Sequence, residues 1–117
     1  MRDIPVDLGG YTLMIVEEPT QKTREEDGVT EFVTDSQGVA LFTVALFAKQ
    51  RQAGASGKRG KGEEISVTLT TDPGEEFREG QYVELLGATV SPYSFKNKKN
   101  ETVSGISFRA AGLKPAA

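Results

Sequence analysis

Nine residues, EEISVTLTT at positions 63–71, constrain the fold more than any other stretch of this chain. Ile65, Val67 and Leu69 alternate with Ser66, Thr68 and Thr70, so an extended backbone puts apolar groups on one face and hydroxyls on the other. A period of two cannot bury one face as a helix; it calls for a sheet laid over a core. Strand-forming composition recurs in YTLMIVEE (11–18), VTEFVT (29–34), VALFTVALFAK (39–49), QYVELLGATV (81–90) and VSGISFRAAGL (103–113). DSQG at 35–38 is turn material and predicts a hairpin joining 29–34 to 39–49. Gly87 predicts a bulge or sharp bend. No stretch sustains a helical period: 73–80 predicts one short helical turn, and 20–27 one turn or a loop. Five to six strands without helices predict one all-β domain over residues 1–117, with a core from about 11 to 113 arranged as a small barrel or a compact sandwich. Segment 39–48 leaves its core face open. Phe42, Val44 and Leu46 share one side, and Leu41, Thr43, Ala45 and Phe47 share the other.

The chain contains no cysteine, histidine or tryptophan. Disulfides, thiolate nucleophiles and imidazole chemistry are therefore excluded, and zinc would find only oxygen ligands. The acids come as neighbours, such as Glu17/Glu18, Glu63/Glu64 and Glu75/Glu76. Neighbours on a strand point to opposite faces, so these doublets make no carboxylate dyad. The expectation is a protein that is not an enzyme and uses no metal or cofactor. No apolar run reaches the ~20 residues of a membrane helix, and MRDIPVDLGG lacks the greasy stretch of a signal peptide. A cytoplasmic protein without membrane contact is expected.

The net charge of −3 hides a division. Lys49, Arg51, Lys58, Arg59 and Lys61 lie in one acid-free stretch, and Lys96, Lys98 and Lys99 in another. Both fall on long connections, a flexible basic loop at 50–62 and a basic, aromatic loop at 91–101. Local positive surface is what a nucleic-acid backbone requires, whatever the total charge. GASGKRGKG (54–62) has the wrong spacing for a nucleotide phosphate loop, and Arg59 stands at its hydroxyl position. Glycine-flanked bases suit a sugar–phosphate backbone better. Tyr93 and Phe95 are two apart and share a face beside three lysines, the composition of a single-strand stacking platform. The bland alternative has either ring cap the barrel end. Arg109 stands alone in an otherwise uncharged strand, able to meet a phosphate or base, or to pair with Glu84. Phe47 lies nearest the basic loop and suits a ligand contact or a dimer interface equally.

EFVTDSQGVALFTVALFAK resembles the first hairpin of the OB-fold single-stranded DNA-binding proteins, and EEISVTLTT their middle strand. FREGQYVELLGATV, with Gly80, Val83 and Gly87, and GISFRAAGL are similar to the closing strands. The resemblance covers residues 31–113 and concerns layout. It implies a five-stranded OB-like barrel that holds and protects single-stranded DNA, or RNA, with little sequence preference, as a homo-dimer or homo-tetramer. The missing tryptophans and acidic tail fit a plasmid, phage or mobile-element version. Its contacts would be Lys49, Arg51, Lys58, Arg59, Lys61, Tyr93, Phe95, Lys96, Lys98, Lys99, Arg109 and Phe47. The rival is a small β-barrel protein-interaction or structural module that binds no nucleic acid, with Phe47 and the acidic outer surface as its interface.

Overall fold

The computed structural model describes residues 2–50 and 61–116. The alternating segments all form strands: β1 Ile4–Pro5, β2 Tyr11–Gln21, β3 Thr23–Glu26, β4 Val29–Phe32, β5 Phe42–Gln50, β6 Glu63–Leu69, β7 Tyr82–Leu86, β8 Thr89–Lys96, β9 Thr102–Ala110 and β10 Gly112–Pro115. Among the described residues, eight of them make one sheet in the order β1-β8-β9-β6-β5-β2-β7-β10, and β3 and β4 make a separate pair. All neighbours in the large sheet are antiparallel except β6 and β9, which run parallel through Val67/Phe108, Thr68/Arg109 and Leu69/Ala110.

The all-β expectation holds, but the small closed OB-like barrel of five to six strands does not. The sheet is a large open half-barrel that curls through about 230° and leaves its edges 14 Å apart. Two local breaks raise the strand number. Gly87, at φ 62, interrupts 82–96 so that β7 pairs with β2 and β10 while β8 pairs with β1 and β9. Ala111 likewise separates β9 from β10. The N-terminal β1 adds an edge, with Ile4 opposite Val90. Pro5 and Pro115 sit in the two edge strands, where a residue without an N–H discourages further strand pairing. Register shifts after Ile15 and Glu17 disturb the β2–β5 ladder, a device that sharpens local twist.

The predicted hairpin between 29–34 and 39–49 is also corrected. Val29–Phe32 pairs backward with Thr23–Glu26, because Asp27 (φ 52) and Gly28 (φ 78) form a tight turn with both residues in the left-handed region. The 35–38 turn does form. Asp35 Oδ1 accepts from the Gln37 and Val39 amides at 2.8 and 2.9 Å, but it closes only the single bridge Thr34–Ala40. Segment 73–80 makes no helix. Asp72 Oδ1 accepts from Gly74 N at 2.8 Å, and Phe77 turns into the core at 6% exposure.

The core settles the face of β5: Val44, Leu46 and Ala48 point inward with Leu13, Ile15, Val67, Leu69, Val83, Ala110 and Leu113. Phe47 points out. No helix among the described residues is long and apolar enough to cross a membrane.

Candidate functional site

Register places the chain's charges. Tyr11 of β2 pairs with Gln50 of β5, and Ala48 with Glu63 of β6. Because β9 runs parallel to β6, Thr102 and its partner Lys96 lie toward that same end. The opposite end carries Gln21, Phe42, Leu69 and Ala110. The β8–β9 turn with Lys98 and Lys99, and the anchors Lys49 and Lys61 of the other basic connection, are thus at one end. Arg51, Lys58 and Arg59 lie outside the described residues. The β3–β4 hairpin and the acidic 72–79 segment leave from the other end.

The β8–β9 arm is built locally. Asn97 Oδ1 accepts from the Lys99 and Glu101 amides at 2.9 and 3.0 Å, and Asn100 adopts φ 63, a conformation asparagine tolerates. The turn lifts Lys98 and Lys99 into solvent, with Lys96 at the end of β8. Below them Tyr93 and Phe95 stack with centroids 6.0 Å apart and ring planes 23° from parallel. Tyr93 lies over Gly105, its cross-strand partner. A β-carbon there would come within 2.6 Å of the Tyr93 hydroxyl oxygen. Both rings are about half exposed, so neither is sealed in the core.

Arg109 lies on the same face as Tyr93, but four residues along β9 from Gly105, about 13 Å at strand rise. It stands opposite Thr89 and Thr68. The pairing with Glu84 does not occur, since Glu84 bonds Lys114 across β7 and β10 at 3.1 Å. Lys22 reaches the same surface and donates to Thr68 Oγ1 at 3.2 Å. That residue was missed because nothing in its local sequence marks it. Phe47 is separated from the arm by β6 and β9 and does not join the Tyr93–Phe95 pair.

Phe47 belongs instead to a different surface. It faces Met14 on β2, and Met14 faces Tyr82 on β7, so an apolar row crosses three strands on the convex face. Phe47 is 37% and Tyr82 54% exposed, with half-buried Met14 between them. A β-carbon at Gly62 would collide with the Phe47 ring, so the glycine seats the ring against the start of β6. Around the row stand Lys49, Glu64, Glu17 and the Glu84–Lys114 pair. Sequence reasoning found Phe47 but missed Met14 and Tyr82. Their outward parity follows once Leu13 and Val83 are known to face in.

The open sheet removes the closed OB barrel from which single-stranded DNA binding was inherited by resemblance, and the OB-fold and DNA-binding descriptions are withdrawn with it. Among the described residues, no three of His, Cys, Asp and Glu gather in a metal-holding group. No known protein family and no curated protein matches this chain.

Proposed function

We propose that this chain is a non-catalytic protein-interaction module that works as an assembly of like subunits, with the convex Phe47–Met14–Tyr82 row as the contact. A cytoplasmic site of action belongs to this reading, since a cysteine-free chain asks nothing of an oxidising compartment. The row is the observation that carries the proposal: three large apolar side chains sit in cross-strand register outside the core. Aromatic and methionine groups ringed by polar ones are the usual anatomy of an interface centre and rim.

The rim argues for a second copy as the occupant. Lys49 and Lys114 stand there with Glu17, Glu64 and Glu84, so both signs are present and a twofold can oppose unlike charges. The β8–β9 arm, with Lys96, Lys98 and Lys99 against Glu101 alone, would repel its own copy. Strand addition at the edges is the poorer route to assembly, because Pro5 and Pro115 blunt them.

The test sets two titrations side by side. Light scattering on the eluting protein should give a mass above that of one 12.6 kDa chain, falling on dilution. A fluorescent oligo-dT, with a duplex of equal length as control, should show no saturable binding at low salt. A monomer at every concentration together with tight, salt-sensitive oligo-dT binding would reverse the proposal.

A further inference from the structure

Alternation on two strands continues past the edge of the core. On β6 the inward positions Leu69, Val67 and Ile65 lead to Glu63, and on β9 Ala110 and Phe108 lead to Ile106, which is 55% exposed. Ile106 faces the concave side, and the described residues leave it exposed there. It lines, with Glu63, Val6, Leu8, Tyr11 and Val90, a hollow of about 310 Å³ that also touches the buried Leu13 and Ala48. We propose that this hollow binds a small organic amine with a compact aromatic or branched apolar body. The inference is independent of the assembly reading, whose surface lies on the opposite face of the sheet.

Size and charge set the ligand class. The volume sits at the low end of the ~300–1,000 Å³ range of ligand pockets. It has room for one bicyclic ring. Among the described residues that line it, Glu63 is the only charged one. Glu63 makes no ion pair among the described residues. A carboxylate at the rim of an apolar hollow favours a cationic head held outward and opposes a phosphate or carboxylate in the same place. Tyr11 also lines the hollow and brings an aromatic ring to it.

Tryptamine, 3-methylindole and indole-3-acetate present one ring system with a positive, neutral or negative substituent. Each is titrated into isotope-labelled protein and followed by amide and methyl NMR shifts. Saturable shifts at Val6, Leu8, Val90 and Ile106 are expected, strongest for tryptamine and weakest for indole-3-acetate. Glu63→Gln should weaken tryptamine by about three- to fivefold, the worth of a partly exposed ion pair, and leave 3-methylindole unchanged. Ile106→Lys, at a position exposed enough to keep the fold, should abolish tryptamine binding. The proposal is overturned if the folded wild type shows no saturable shift at these residues. It is overturned equally if Glu63→Gln changes none of the three affinities, or if indole-3-acetate binds as well as tryptamine.

Discussion

Substituting Gly105 with alanine sets two opposed effects against each other, and the structure says how they divide. Glycine inside a strand costs about 0.5–1 kcal/mol relative to alanine, because the unfolded chain loses more freedom when it is ordered. Gly105 has no left-handed φ, so alanine meets no backbone strain there. The added methyl would, however, stand 2.6 Å from the Tyr93 hydroxyl oxygen and 2.8 Å from the ring carbon that bears it. Ordinary contact lies near 3.5–4 Å, so the ring must retreat by roughly 1 Å. Tyr93 is half exposed and can swing away without moving backbone, but doing so gives up its 6.0 Å stack on Phe95. That stack is worth about 0.5–1.5 kcal/mol, toward the lower figure at an exposed site. The two effects nearly cancel, and Gly105→Ala alone should change stability by less than about 0.5 kcal/mol. In a Tyr93→Ala background the collision is absent, and the same change should stabilise by about 0.5–1 kcal/mol. Urea denaturation of the four proteins of this cycle gives the coupling between the two positions. An identical effect of Gly105→Ala in both backgrounds would refute the placement of the ring over the glycine.

Three further outcomes follow from the same geometry. Leu46→Ala removes a fully buried side chain from the centre of β5 and should cost about 2–5 kcal/mol in urea denaturation; a cost under 1 kcal/mol would put Leu46 outside the core. Asn97→Ala deletes the acceptor of the Lys99 and Glu101 amides and should cost about 0.5–2 kcal/mol, with faster hydrogen exchange confined to the β8–β9 turn. Lys114→Ala breaks a surface pair with Glu84 and should cost under about 1 kcal/mol, a loss that disappears at high salt.

Strand positions were legible in this sequence wherever apolar and polar residues alternate cleanly, as at Ile65, Val67 and Leu69. The number and closure of strands were not, because those depend on two short breaks, at Gly87–Ala88 and at Ala111. Gly87 was marked as a bend, but whether a bend keeps one strand or makes two is decided by which neighbours pair on each side of it. The Asp27–Gly28 turn was a missed signal. Asp-Gly between polar extended stretches is strong hairpin chemistry, yet the polar composition of 20–27 pointed only to one turn or a loop. Of the candidate site, the Tyr93–Phe95 pair was visible from its spacing of two. The pairing of Phe47 with Met14 and Tyr82 was not, since it joins three strands distant in sequence and needs their register. For Arg109 the sequence leaves a phosphate or base contact and a pairing with Glu84 both open, and the second is removed because Glu84 faces Lys114.

The convex row carries the functional account, and its most direct test is sedimentation velocity on the wild type beside Tyr82→Lys. Tyr82 is 54% exposed and contributes nothing to the buried core, so the variant should stay folded and melt below the wild type only by the stability that association adds. The account predicts that the wild type sediments as an oligomer at micromolar concentration and that Tyr82→Lys sediments as a folded monomer. Two identical profiles, from two folded proteins, would contradict it.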